Sequence, residues 1–170
     1  ITAFRREHPA VQIEIVISNK TSSLNKREAD IALRMFRPSQ PDLVAHRLPN
    51  MSLGFYAHQD YLAQFGTPRN FESFNEHSII GFDQDRSFIE GAAAMGMQLK
   101  PEDFSIRTDH ILTQLSLVRS AAGITVTYVK LAEKYPELQQ ILYEVPLEPL
   151  QLWCVCHGDV QFNSRIRALM

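Results

Sequence analysis

Hydrophobic and polar positions alternate most cleanly over residues 11–17. Val11, Ile13, Ile15 and Ile17 fall on one face, and Gln12 and Glu14 on the other, a period of two that predicts a half-buried strand. Ahead of it, residues 1–7 carry Phe4 among charges and read as the tail of a helix. His8-Pro9 ends that helix, because the residue before a proline is pushed out of the helical region. A polar connection over 18–23 places Ser22 or Ser23 to cap a short helix running through residue 29. Residues 30–34 form the next strand, whose apolar centre, Ile31-Ala32-Leu33, suits a parallel strand buried on both faces.

Pro38 and Pro41 break the chain over 35–41. Strands are predicted over 43–48 and 53–57, then a short helix over 60–65 closed by Gly66. Two further strands fall at 78–82 and 104–107. Between them, residues 90–99 mix helix formers with Gly91 and Gly96, which predicts a loop with a weak helix. The strongest helical stripe is Ile111, Leu115, Val118 and Ala122, widened by Leu112, with Thr108 or Asp109 as its cap and Gly123 as its end. A strand over 124–129, a short helix over 130–135 stopped by Pro136, strands over 141–145 and 150–156, and helical spacing over 164–170 complete the chain. The mostly strand–helix–strand order predicts an α/β fold.

Composition narrows the function classes. The 170 residues carry 17 Lys and Arg against 19 Asp and Glu, a net charge of −2, which argues against nucleic-acid binding by this chain alone. An apolar content of 45% supports a real core, yet no run approaches a membrane span and the first residues have no signal-peptide core. Two cysteines are too few for a disulfide framework and fit a reducing compartment. Cys154-Val155-Cys156-His157 raises a metal hypothesis, but residues two apart on a strand do not gather around an ion, so core cysteines and no cofactor are expected. Asn19-Lys20-Thr21 matches a glycosylation sequon and is read as coincidence, Asp83-Gln84-Asp85 has no calcium-loop continuation, and Trp153 is expected in the core.

The segments Glu28-Ala29-Asp30-Ile31-Ala32-Leu33-Arg34, Pro41-Asp42-Leu43-Val44-Ala45-His46-Arg47-Leu48 and Tyr56-Ala57-His58-Gln59-Asp60-Tyr61-Leu62-Ala63-Gln64-Phe65-Gly66-Thr67-Pro68 occur in that order. Together with Phe4-Arg5-Arg6-Glu7-His8-Pro9-Ala10-Val11 and Val118-Arg119-Ser120-Ala121-Ala122-Gly123-Ile124, they resemble the effector-binding domain of LysR-type transcriptional regulators across essentially the whole chain. Two departures stand out. The family's N-terminal winged helix-turn-helix and the domain's first strand have no counterpart here, so the chain is expected to be a fragment. The Ser120-Ala121-Ala122-Gly123 helix end also lacks a glycine that the family often has at its third position.

The resemblance implies two α/β lobes of the periplasmic-binding-protein type II kind. Lobe I would hold residues 1–57 and 147–170 and lobe II residues 58–146, with crossing strands near 53–58 and 150–157. It further implies a small-molecule effector in the cleft between lobes and a homodimer or homotetramer in which first-lobe helices pack against a partner's strand. DNA would be reached only through the N-terminal domain absent from this chain, in the cytoplasm and without membrane contact.

Ligands of open α/β sheets bind beyond the carboxyl ends of the strands. Arg34 ends such a strand and can grip a carboxylate or phosphate, with Met35 and Phe36 as an apolar wall or, equally, as loop packing. Thr108 and His110 begin the strongest helix, whose free N–H groups favour an anion, although Asp109 is better read as a cap. Thr125 and Thr127 share a face of the following strand, and the resemblance favours Thr125 near the cleft. The expected function is effector sensing, with a small and anionic ligand. A periplasmic-type solute-binding protein is the alternative. No nucleophile elbow, zinc-protease motif or phosphate loop supports an enzyme.

Overall fold

The computed structural model describes residues 1–17, 29–94 and 96–170. The expected connection over 18–23, its cap at Ser22 or Ser23 and the sequon at Asn19 lie outside these residues. The chain divides into two units, Ile1–Asn50 with Leu150–Met170 (unit 1) and Met51–Pro149 (unit 2).

Unit 1 opens with helix α1 (Thr2–Glu7), which buries Phe4 and ends at His8. Strands β1 (Ile31–Arg34), β2 (Leu43–Met51) and β8 (Leu150–His157) form a sheet in the order β1-β8-β2. β1 pairs antiparallel with β8, Ile31 against Cys156 and Arg34 against Trp153. The parallel, doubly buried strand expected for 30–34 is therefore corrected: Leu33 is 65% exposed. A short apolar run reports burial propensity, not strand direction, and here only one face is covered.

The strand expected over 11–17 is also corrected. These residues join no ladder, and Ile15, Val16 and Ile17 are exposed. The Arg5 guanidinium instead donates to the carbonyls of Pro9 and Val11. Alternation says which side chains share a face; a ladder also needs a neighbouring strand, and none among the described residues takes that place. Trp153 is only half-buried and so is not the core residue expected; Arg37 covers its ring at 5.6 Å, and its indole N–H donates to Gln151 at 3.1 Å. Helix α6 (Ser164–Leu169) starts at Asn163, whose side chain accepts from the Arg165 N–H.

Unit 2 is built on strands β3 (Leu53–His58), β6 (Ile124–Tyr128) and β7 (Leu138–Ile141), ordered β6-β3-β7 and antiparallel throughout. Both faces are covered. Phe55, Ala57, Ile124 and Ile141 pack with Phe74, Ile79 and Phe104 on one side, and Phe55 meets Phe74 edge-on at 5.4 Å. On the other side, Tyr56 and Leu138 pack with Ile80, Leu115, Val118 and Ala132. The stripe read as the strongest helix supplies this second layer as α4 (Ile111–Arg119).

Strands β4 (Ile80–Gly81) and β5 (Ile106–Arg107) are only two residues long and pair in parallel. A Cβ on Gly81 would lie 2.3 Å from the Phe104 ring, so the close packing of these strands needs glycine there. Helices α2 (Gln59–Phe65), α3 (Ser87–Ala94) and α5 (Val129–Ala132) complete the unit. The strand expected over 141–145 is displaced to 138–141, since Leu142 takes a φ of 51° and breaks the extension.

Candidate functional site

The six residues singled out from the sequence fall in two groups, one in each unit. In unit 1, Arg34 closes β1 and is 7% exposed. Its guanidinium carbon lies 5.7 Å from the centre of the Phe36 ring, which with Met35 remains partly exposed. A cation is thus held at the carboxyl end of a strand beside an apolar surface, an arrangement that suits a ligand with a negative head and an apolar body.

In unit 2, Thr108 follows β5 and its N–H donates to the Gly81 carbonyl at 3.0 Å. Its hydroxyl accepts from the His110 N–H at 3.2 Å, so Thr108 and His110 are coupled at the start of α4. The cap of α4 is His110, not Thr108 or Asp109 as expected: the His110 Nδ1 accepts from the Thr113 N–H at 3.3 Å. His58 and His157 cap α2 and the turn Gly158–Val160 in the same way. Standard cap preferences name Ser, Thr, Asp and Asn, so this use of imidazole was not legible from composition.

Asp109 caps a different segment. Its carboxylate accepts from the backbone N–H groups of Asp83, Gln84 and Asp85 at 2.9 to 3.2 Å. Burial pushes its carboxyl up, but the three amides outweigh that and hold it below the usual carboxylate range. These amides form an anion-binding concavity that the protein fills with its own carboxylate. Arg107 lies 3.7 Å from Asp83 in the same region.

Thr125 is 1% exposed, and its hydroxyl donates to the Ile80 carbonyl at 3.1 Å. It ties β6 to β4, one residue before the glycine that receives Thr108. Gln114, which the sequence did not flag, completes this scaffold. Its side-chain amide donates to the Thr108 carbonyl at 2.7 Å and to Gly81 at 3.1 Å. A polar residue at a buried helix position is the available signal, but Gln is common on helix surfaces, so the residue type alone does not reveal burial.

Cys154 and Cys156 are buried free thiols, both pushed up by burial. The His157 ring is engaged with acids instead, its Nε2 lying 3.2 Å from Asp42 and its Nδ1 3.3 Å from Asp159. Among the described residues, no three His, Cys, Asp or Glu side chains are grouped to hold a metal, and no helix is long and apolar enough to cross a membrane. Two surface hollows are formed by described residues of unit 1. One of about 360 Å³ is lined by Ile1, Arg5, Gln12, Ile13 and Ile15, and one of about 430 Å³ lies between β2 and the α6 region. Neither is lined by any of the six residues.

The family model for the LysR substrate-binding domain matches residues 1–170. The chain belongs to that family. It is 31% identical over 126 residues to the HTH-type transcriptional regulator CrgA of Neisseria meningitidis serogroup C, covering 72% of this chain and 42% of that protein. The chain therefore spans about two fifths of that relative's length.

Among solved structures, the regulatory domain of CrgA superposes with a TM-score of 0.84 at 27% identity, covering 99% of this chain and 85% of that one. The regulatory domain of AphB from Vibrio vulnificus superposes at 0.77 and 15% identity over 98% and 84%, a likeness of fold alone. The fold is thus that of LysR regulatory domains, the type II periplasmic-binding-like α/β fold. The chain is a LysR substrate-binding domain, and the curated relatives it matches are transcriptional regulators.

Proposed function

We propose that the domain senses a small anionic metabolite with an apolar portion, read out as altered geometry of a homodimer or homotetramer. One observation carries this: a buried guanidinium, Arg34, closes a strand at its carboxyl end with the half-exposed Phe36 and Met35 beside it. Arg34 supplies a fork-shaped donor for a carboxylate or phosphate, and Phe36 and Met35 supply the wall. Thr108 and His110 supply polar groups at the start of α4, and Thr125 supports them through Ile80. DNA is met through an N-terminal domain outside this chain, in the cytoplasm where such a regulator works. The effector shifts the equilibrium between arrangements only by its differential affinity for them, so a ligand of ordinary affinity suffices if they lie within a few kcal/mol.

A thermal-shift screen of small carboxylates and phosphates against their neutral analogues tests this, followed by calorimetry on the best hit. Arg34→Lys keeps the charge and removes the fork, and is expected to weaken the hit by about tenfold or more. A hit whose affinity is the same in wild type and Arg34→Lys, or neutral analogues that bind as well as the anions, overturns the assignment.

A further inference from the structure

The hollow of about 430 Å³ between β2 and the α6 region has the makings of a second ligand site. Val44 and His46, two apart on the edge strand β2, present their side chains to the same side. Opposite them stand Gln161 and Phe162 from the turn before α6, and Arg167 and Met170 from its last turn and end. The space is about 430 Å³, within the range of small-molecule sites.

Three features give it a chemistry. Among the described residues, the side chains of His46, Gln161 and Arg167 enter no ion pair or hydrogen bond with the rest of the protein. Three polar heads thus converge on one hollow uncommitted. No acidic side chain lines it, so its side chains suit an anion. Its remaining lining is apolar, and Phe162 is 78% exposed, a large aromatic surface with nothing packed over it.

We propose that this hollow binds a small monocarboxylate carrying an aromatic or branched apolar body, separately from the site at Arg34. The carboxylate takes the Arg167 guanidinium in a paired grip, with the His46 ring and the Gln161 amide as further donors. The apolar body lies against Phe162, Val44 and Met170, where the thioether adds a sulfur–ring contact for an aromatic ligand. Arg167 sits on α6 and His46 on β2, so the ligand bridges the last helix of unit 1 to its edge strand.

The test is a titration of the isotope-labelled 170-residue chain, followed by amide resonances, with phenylacetate, isovalerate and the neutral phenylacetamide. Saturable shifts are expected at residues 44–46 and 161–170 with the two carboxylates. Phenylacetamide is expected to bind at least about tenfold more weakly, and Arg167→Gln to weaken phenylacetate by about tenfold or more with the spectrum otherwise preserved. Arg167 is exposed, so the variant folds, and His46→Ala provides a second check from the opposite wall. Absence of saturable shifts at these residues overturns the proposal, as do equal binding of acid and amide and unchanged affinity in Arg167→Gln. Shifts at the same residues that follow protein concentration without ligand assign the hollow to a second copy and also overturn it. Saturation that survives Arg34→Lys separates this site from the one proposed above.

Discussion

Replacing Gln114 by leucine probes the scaffold under the unit 2 residues most directly. The side chain is 3% exposed and its amide donates twice, to Thr108 and to Gly81. Gly81 keeps a partner in the variant, since its carbonyl also accepts from the Thr108 N–H. The Thr108 carbonyl loses its side-chain donor in a half-buried setting. The lost bond to Gly81 at about 1 kcal/mol, and the stranded Thr108 carbonyl at about 1–3 kcal/mol, are offset by roughly 1 kcal/mol from burying a more apolar side chain. Net destabilisation of about 1–3 kcal/mol is expected.

With a urea slope of about 2 kcal/mol/M, that shifts the midpoint by about 0.5–1.5 M with the slope unchanged. All five tyrosines lie in unit 2, so tyrosine emission reports on the unit that holds Gln114. Gln114→Glu is the control. At neutral pH its carboxylate would face two carbonyl acceptors with nothing to donate, so it should be worse than leucine by more than about 1 kcal/mol and recover in acid as the carboxyl gains a proton. A neutral leucine variant, or a glutamate variant no worse than leucine, refutes the claim that these two donations hold Thr108 in place.

Two other predictions concern the same unit. Asp109 has its carboxyl lowered in the folded state, so its contribution is present above the unfolded value near 3.9 and is lost as pH falls through the lower folded value. Asp109→Asn should flatten the acid limb of stability measured by urea midpoints between about pH 3 and 6. Glu137, lowered by its hydrogen bond from Arg119, contributes equally to both proteins, so parallel acid limbs would contradict the role of Asp109. Gly123→Ala would place a Cβ 2.3 Å from the Ser78 carbonyl, which accepts from the Ile124 N–H at 2.8 Å, and should cost on the order of 3 kcal/mol by calorimetry. Gly91→Ala, in α3 with nothing within 4 Å, should instead gain about 0.5–1 kcal/mol, and similar effects at the two glycines would sink the packing argument.

Local signals carried the sequence a long way. The stripe at Ile111, Leu115 and Val118 became a core-covering helix, and the extended runs at 53–57 and 124–129 became the paired centre of unit 2, because period and side-chain branching act within a few residues. The ordered set of segments from Phe4 to Ile124 was sufficient to indicate the family. Tertiary context decided what depends on distant neighbours. Residues 11–17 alternate like a strand yet find no ladder among the described residues, and β1 runs antiparallel to a strand more than a hundred residues away. Asp109 passed over the adjacent helix start for three amides some 25 residues earlier, and His110 took the cap instead. A side chain's polarity says that it needs partners, but the choice among competing donors rests on which backbone groups the packed core leaves open and how close it brings them.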